Sequence, residues 1–278
     1  MLQREGKPGG SARDRKVTTK SLRGMKERGE RIVALTAYDH QMAELLDQAG
    51  VDLILVGDSA AMTVQGRHTT VSVTMEQMLY HAEIVASAVE RALVVGDLPF
   101  MSYQVNADEA LRNAGRMVQA AHVEAVKLEG GAKICATIRR IVDAGIPVMG
   151  HLGLTPQSIH KFGTYQVRAT EPEEADEIRR DALALQEAGV FGIVLEKVPA
   201  KLASEVSRSV QAPIIGIGAG PGCDGQILVT HDMLGLFTRF RPRFVRRYAE
   251  LAGLMREAFE RYAEDVRTGD FPSEQESY

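Results

Sequence analysis

The feature that most constrains the fold of this chain is a series of short apolar runs separated by helical patterns. Continuous apolar runs, without polar alternation, are typical of strands that are covered on both faces. Because helical patterns lie between them, we expect parallel strands joined by right-handed crossovers that close into a (β/α)₈ TIM barrel. The runs cover residues 31–38, 51–56, 92–96, 123–128, 146–149, 191–195, 213–217 and, more weakly, 226–229.

The remaining segments predict one domain with helical extensions. Amphipathic patterns predict barrel helices over residues 40–48, 74–90, 108–122, 132–143 and 171–187. An additional N-terminal helix is expected over 17–28 and C-terminal helix over 242–264. The 278 residues suit a single barrel, which typically needs about 250. We therefore expect a disordered polar tail over residues 1–16 and a single catalytic domain over 17–278.

Charge and composition exclude several classes of protein. The net charge of −4 argues against a nucleic-acid partner, although a cluster of arginines at 239–247 could form a solvated face, a subunit contact or an anion site. We find neither an apolar stretch of about 20 residues nor a secretory leader. Cys135 and Cys223 have no partners at metal-ligand spacing, so we expect a reducing, cytoplasmic compartment and spectator thiols.

Acidic residues stand at the ends of four predicted strands. Asp58, Asp97, Glu129 and Glu196 follow the runs LILVG, LVVG, AVKL and GIVL. In a parallel barrel these ends converge on one mouth, where catalytic residues lie. A single acid there could simply cap the next helix. Four acids from four strands would repel one another, and a bound cation would relieve that repulsion.

The types of residue near these acids favour a magnesium site. The candidate ligands are hard oxygens without a cysteine cluster or an HExxH motif, which suits Mg²⁺ better than zinc. Lys127 alternates with Glu129, so both side chains should face the same way. An outward lysine could make a surface ion pair, but an inward one near an anionic substrate fits the site better, and His151 also points toward the mouth. The glycines of residues 213–222 could present N–H groups to phosphate, or could only permit close packing.

Several ordered blocks of sequence resemble the ketopantoate hydroxymethyltransferase family. The resemblance extends from about Val17 to the C-terminus. The blocks are TAYD (36–39), VGDS (56–59), MTVQG (62–66), DLPFMSY (97–103), VKLEGG (126–131), GHLGLTPQS (150–158), IGIGAG (215–220), DGQILVTHD (224–232) and PRFVRRYA (242–249).

This resemblance implies a reaction and an assembly. The family transfers a hydroxymethyl group from 5,10-methylenetetrahydrofolate to 3-methyl-2-oxobutanoate and releases 2-dehydropantoate, a step of pantothenate biosynthesis. It uses Mg²⁺ and forms a homodecamer of two pentameric rings. These properties are expectations for this chain.

Roles for individual residues follow from the same resemblance. Asp58 and Asp97 match the magnesium ligands, and Glu129 matches the third acid of the metal site. Ser59 and Lys127, together with the metal ligands Asp58 and Asp97, match the residues that bind the keto acid. Glu196 matches the catalytic base, and His151 lies in the shell around the active site.

The sequence departs from the family in two loops near the expected mouth. Many relatives carry Gly-Gly-Tyr-Lys-Val-Gln-Gly-Arg where this chain has residues 163–170, and Ser72 stands where proline is usual. These changes bear on loop closure and turnover more than on reaction type. Two alternatives remain open: a relative of isocitrate lyase or phosphoenolpyruvate mutase, whose Lys-Lys-Cys-Gly-His loop we do not find, and a catalytically inactive barrel that serves as a binding or ring-forming module.

Overall fold

The chain forms the closed eight-stranded barrel that the apolar runs predict. The computed structural model describes residues 15–278, and each strand pairs in parallel with the next, while β8 closes on β1. The (β/α)₈ expectation is therefore confirmed. The strands are β1 Ile32–Thr36, β2 Leu53–Val56, β3 Leu93–Asp97, β4 Ala125–Glu129, β5 Val148–Gly153, β6 Gly192–Glu196, β7 Ile214–Ile217 and β8 Gly225–Leu228.

Helices alternate with these strands along the chain, and a long helix lies near the C-terminus. They are α1 Thr19–Glu27, α2 His40–Gln48, α3 Ala60–Thr63, α4 Met75–Ala88, α5 Ala107–Gln119, α6 Cys135–Asp143, α7 Ile159–Phe162, α8 Pro172–Glu187, α9 Ala200–Ser209, α10 Thr230–Met233 and α11 Leu251–Thr268. Across residues 15–278, none of these helices combines the length and the apolar character needed to span a membrane.

Two apolar layers show which side chains point into the barrel. One buried cluster contains Leu93 and Val95 of β3, Ala125 of β4, Met149 of β5 and Val194 of β6, and forms the barrel interior. A second and larger cluster packs the outer faces of the strands against the helices. Because side chains alternate along a strand, the residue two positions after each interior residue also points inward. This alternation aims Asp97, Lys127, Glu129, His151 and Glu196 toward the barrel axis.

The connection between β7 and β8 contains no helix and depends on glycine for its packing. A Cβ at Gly220 would lie 2.4 Å from the Cβ of Ala200, and one at Gly222 would lie 2.6 Å from the Cβ of Ser204. Any side chain at these positions would therefore push the loop away from α9. Close packing, which the sequence left as one of two explanations for this glycine-rich segment, accounts for these two residues.

Several element boundaries differ from the sequence predictions. The α9 helix was not anticipated, and α11 begins nine residues later than the helix expected from residue 242. The start of α11 carries no capping side chain at Glu250, so the sequence offers no signal there. By contrast, Thr18 caps α1 and Asp39 caps α2, and these starts lie close to the predicted ones.

The structure bears on both ends of the predicted domain. The disordered tail predicted for residues 1–16 lies, up to residue 14, outside the described residues, and Lys16 pairs with Glu124 at 2.8 Å. One compact unit ends at Leu228 and contains all eight strands, and Val229–Tyr278 forms a second unit. The single catalytic domain expected over 17–278 stays a prediction.

Candidate active site

The four acids identified from the sequence all lie at the carboxyl ends of barrel strands. Asp97 is the last residue of β3, Glu129 of β4 and Glu196 of β6, whereas Asp58 follows β2 by two residues. Asp58, Asp97 and Glu129 are buried. Glu196 keeps 15% of its side chain exposed, so it is the acid of this group most open to the mouth.

Lys127 provides the positive charge inside this acidic group. The register of β3 and β4 places Asp97 beside Lys127, and Lys127 Nζ lies 2.7 Å from Asp97 Oδ1. Burial opposes the charge on Lys127, but Asp97, Glu129 and Asp58 outweigh it and raise the pKa of the lysine. Lys127 is therefore an ammonium group that points inward, as its alternation with Glu129 predicts.

Negative charge on the buried carboxylates of this group is unfavourable. Burial, together with the charges of Asp97 and Glu129, raises the pKa of Asp58 well above its usual range. Burial also raises the pKa of Asp97, although the nearby Lys127 ammonium opposes that shift. A single lysine does not neutralise three buried acids, so a cation would be stabilised among them.

The buried acids offer ligand atoms that suit a hard divalent cation, but they are not already arranged around one point. All three buried acids offer carboxylate oxygens, which Mg²⁺ prefers. Within residues 15–278, however, no three His, Cys, Asp or Glu side chains already converge in a metal-holding arrangement. Mg²⁺ usually takes one or two carboxylates and completes its shell with water and substrate oxygens, so two of these carboxylates would be enough to hold it.

His151 connects the buried acids with Glu196. The β4–β5 register places His151 beside Glu129, and its Nδ1 lies 3.4 Å from Glu129 Oε1. Its Nε2 lies 3.3 Å from Glu196 Oε2. The ring therefore links the proposed metal side of the site to the proposed base.

The protonation of His151 depends on competing neighbours. Burial and the Lys127 ammonium disfavour the imidazolium form, but Glu129 and Glu196 outweigh them and raise the pKa of His151 to about 9. In that form both ring nitrogens carry a proton, and each lies near a carboxylate oxygen, at 3.4 Å for Glu129 and 3.3 Å for Glu196. Lys127 Nζ lies 3.1 Å from Nδ1, and this contact becomes a hydrogen bond only when Nδ1 is unprotonated.

Ser59 lies next to Asp58 and is oriented by a buried tyrosine. The hydroxyl groups of Tyr38 and Ser59 are 2.7 Å apart. Gly57 provides the space for this arrangement, because a Cβ there would approach Ser59 Oγ to 2.8 Å. The serine hydroxyl is thus held at the mouth, at the position where the resemblance expects keto-acid binding.

Two buried residues that were not assigned a role complete the network around the acids. Gln157 Nε2 donates to Asp58 Oδ2 at 2.9 Å, and the backbone N–H of Gln157 donates to Glu129 Oε2 at 3.0 Å. The hydroxyl group of Tyr103 accepts from the backbone N–H of Glu129 at 3.1 Å. Both residues lie in sequence blocks that carry the family resemblance, but their position in loops gave no periodic signal.

The long loop after β5 passes close to Glu196. Lys197, the residue after Glu196, has a φ of 46°, which is rare for a non-glycine residue. Its backbone oxygen accepts from the N–H of Arg168 at 2.8 Å, and its Nζ donates to the backbone oxygen of Tyr165. The loop is therefore attached directly to the end of β6.

The sequence of the chain matches one enzyme family over most of its length. The family model described as ketopantoate hydroxymethyltransferase matches residues 16–274. A 3-methyl-2-oxobutanoate hydroxymethyltransferase of Prosthecochloris aestuarii is 58% identical over 94% of this chain and 96% of its own length. Another, from Salinibacter ruber, is 57% identical over 95% of this chain and 99% of its own length.

Solved structures resemble the chain in fold. Phosphonopyruvate hydrolase, in a complex with oxalate and Mg²⁺, has a TM-score of 0.64 and 16% identity, and the match covers 94% of this chain and 93% of the other. Phosphoenolpyruvate phosphomutase of Streptomyces platensis has a TM-score of 0.61 and 17% identity, with 90% and 88% covered. At these identities, the similarity concerns the barrel alone.

The closed barrel and its carboxylate-rich mouth define a (β/α)₈-barrel enzyme. The extent of the sequence match then specifies the kind of enzyme. The chain belongs to the ketopantoate hydroxymethyltransferase family and is a hydroxymethyl transferase. The expectation from the resemblance is confirmed at this level, whereas the roles of individual residues remain predictions.

Proposed function

We propose that this enzyme transfers a hydroxymethyl group from 5,10-methylenetetrahydrofolate to 3-methyl-2-oxobutanoate, with Mg²⁺ as cofactor and Glu196 as base. The observation that carries the proposal is the division of the mouth into two parts. Asp58, Asp97 and Glu129 form a buried acidic group around Lys127, while Glu196 lies on another strand and is more exposed. One part suits cation binding and the other suits proton abstraction.

The cofactor and substrate would meet at the buried acids. Asp58 and Asp97 would hold Mg²⁺, with Glu129 acting directly or through water. When bound, Mg²⁺ supplies positive charge that lowers the free energy of the enolate formed from the keto acid. Lys127 and the Ser59 hydroxyl lie beside these acids and would orient the substrate carboxylate and keto oxygen.

Glu196 would start the reaction by removing a proton. Its carboxylate accepts the proton from C3 of the keto acid, and the electron pair of the broken C–H bond forms the enolate. His151 Nε2 lies 3.3 Å from Glu196 Oε2, and the charge of the imidazolium would help to orient this carboxylate. C3 then forms a bond to the methylene carbon, the carbon–nitrogen bonds to folate break, and water supplies the hydroxyl oxygen, so 2-dehydropantoate and tetrahydrofolate are the products.

The assembly and location of the enzyme are further proposals. The resemblance implies a homodecamer of two pentameric rings, and α11 offers an apolar surface that supports self-association. Five large apolar side chains on this helix are exposed: Leu254, Met255, Phe259, Tyr262 and Val266. A cytoplasmic location remains a prediction from the sequence.

An isotope experiment tests the proposed chemistry. We would incubate the enzyme with C3-deuterated 3-methyl-2-oxobutanoate and Mg²⁺, with and without tetrahydrofolate and formaldehyde, and follow it by NMR. We expect deuterium loss, formation of 2-dehydropantoate only with folate, and loss of both in EDTA. Folded, metal-loaded enzyme that produces neither exchange nor product would overturn the proposal and favour a binding module.

A variant separates the base from the metal site. Glu196→Gln should reduce exchange at C3 by at least about 100-fold, the order expected for a general base, while the keto acid still binds with Mg²⁺ in calorimetry. Glu44→Gln, the same change at an exposed residue of α2, is the matched control and should exchange normally. Wild-type exchange in Glu196→Gln would assign the base to another residue.

A further inference from the structure

The loop after β5 supplies Gln157, a neutral side chain that joins two of the buried acids. Gln157 lies in a short 3₁₀ helix, Pro156–Ser158, and is 5% exposed. Its side chain binds Asp58 of the β2 end, and its backbone N–H binds Glu129 of the β4 end. A single residue therefore connects carboxylates that come from two different strands.

The hydrogen bonds around Gln157 fix the orientation of its amide. Nε2 donates to two acceptors, Asp58 Oδ2 at 2.9 Å and the backbone oxygen of Leu98 at 3.0 Å. Oε1 accepts from the Tyr103 hydroxyl at 2.8 Å and from Gln104 Nε2 at 3.2 Å. The reverse orientation would place the amide oxygen against the backbone oxygen of Leu98, which only accepts, so the network favours the arrangement with Nε2 toward Leu98 and Asp58.

Tyr103 completes this arrangement from the opposite side. Its hydroxyl group donates to Gln157 Oε1 at 2.8 Å, the shorter of two contacts with acceptors, the other being the backbone oxygen of Glu129 at 3.2 Å. The same oxygen accepts from the backbone N–H of Glu129 at 3.1 Å. Tyr103 therefore holds the strand end that carries Glu129 and also fixes the amide that binds Asp58. Because the ring is buried, any loss of its hydroxyl leaves polar partners without a bond.

We propose that Gln157, supported by Tyr103, is a positioning residue that holds the Asp58 and Glu129 carboxylates ready for the divalent cation. The inference rests on the proposed function, because it assumes that these acids bind Mg²⁺. The charge of Glu129 acts on Asp58, and like charges repel, so the hydrogen bonds from Gln157 oppose the separation of the two carboxylates. Residues that hydrogen-bond to metal ligands typically change metal affinity 10–100-fold when they are removed.

Calorimetric titration of metal-free enzyme with MgCl₂, without keto acid, tests this role apart from catalysis. Gln157→Leu keeps the approximate side-chain size but cannot donate to Asp58. We expect its Kd for Mg²⁺ to rise 10–100-fold. Gln157→Glu should weaken binding as well, because it faces Asp58 with a second acid. Gln119→Leu, the same change at an exposed residue at the end of α5, is the matched control and should bind Mg²⁺ with the wild-type Kd.

The outcomes distinguish this inference from the proposed function. A Kd for Gln157→Leu within twofold of wild type, in protein with a wild-type thermal melt, would overturn the positioning role and leave the metal site intact. If the wild-type enzyme itself does not bind Mg²⁺, the proposed metal site is wrong. Should Gln157→Leu fail to fold, Tyr103→Phe provides the same test, and we expect it to weaken Mg²⁺ binding in the same direction.

Discussion

At the scale of single residues, burial decides how reactive a side chain is, as the thiol of Cys223 shows. It lies in the loop before β8, is 1% exposed, and has no disulfide partner among the described residues. Burial, with a contribution from Asp224, raises the pKa of its thiol to about 11, although Arg31 and Lys26 oppose the shift. Only the thiolate is an effective nucleophile, so this cysteine is a spectator at neutral pH.

We predict that Cys223 reacts slowly with iodoacetamide in the folded enzyme. A pKa about two units above the ordinary thiol value leaves roughly 100-fold less thiolate at pH 8, and labelling should increase as the pH rises toward 11. Mass spectrometry of the labelled peptide measures the rate, and the same protein in denaturant serves as control. Equal rates in folded and denatured protein would contradict the prediction.

The sequence located the acids of the site but not the residues that hold them. Asp58, Asp97, Glu129 and Glu196 could be found because each follows an apolar strand, and parallel strand ends meet at one mouth. Gln157 and Tyr103 lie in irregular loops, whose paths depend on long-range contacts and leave no periodic pattern. Neutral polar side chains are also common in loops, so neither charge nor spacing distinguished these two residues.

At the scale of elements, the loop between β5 and α8 is held by contacts of Arg168 and Ala169. Arg168 pairs with Glu174, and its guanidinium carbon lies 4.1 Å from the centroid of the Phe162 ring. Ala169 has a φ of 56°, and its N–H donates to Glu174 at 2.7 Å. These two residues therefore have contacts that support the loop.

We predict that Arg168→Gln loosens this loop without destabilising the barrel. An ion pair of this exposure contributes at most about 1 kcal/mol, and the contact with an aromatic ring contributes a similar amount. Hydrogen–deuterium exchange of the loop around Tyr165 should increase roughly 2–10-fold, while the melting temperature changes by less than about 2 °C. Arg179→Gln, which removes ion pairs with Asp176 and Glu205 on the surface, is the control. Unchanged loop exchange in Arg168→Gln would refute this role.

The regular elements were easier to predict than their ends. All eight strands were anticipated because both-face burial makes each one a continuous apolar run, and their observed bounds differ from the predicted ones by only a few residues. The α9 helix was missed because it is only ten residues long and Pro199, which precedes it, provides no side-chain cap. Where a capping side chain exists, as at Thr74 before α4, the predicted start agrees with the structure.

For the molecule as a whole, the sequence predicted the barrel because its topology repeats one local rule eight times. Each strand needs a parallel neighbour and a helix or loop that covers its outer face, and every continuous apolar run indicates such a strand. The assembly of copies follows no such repeated rule. It depends on the residues of the subunit interfaces. The sequence of a single chain does not distinguish these residues from ordinary exposed ones until it is known which face each helix exposes.

We predict that the exposed face of α11 is required for the oligomer. Met255, Phe259, Tyr262 and Val266 recur at intervals of three or four residues and lie on one side of this helix, none of whose residues is buried. Apolar surface of this kind typically marks an interaction site.

Light scattering of the wild-type enzyme should give about 300 kDa, ten times the chain mass of 30.3 kDa. Phe259→Ser should lower this mass and retain the fold because the side chain is exposed, whereas Glu257→Ser, on the opposite face, should leave it unchanged. A wild-type mass near that of one chain would refute the decamer, and a decameric Phe259→Ser would show that the rings assemble through another surface.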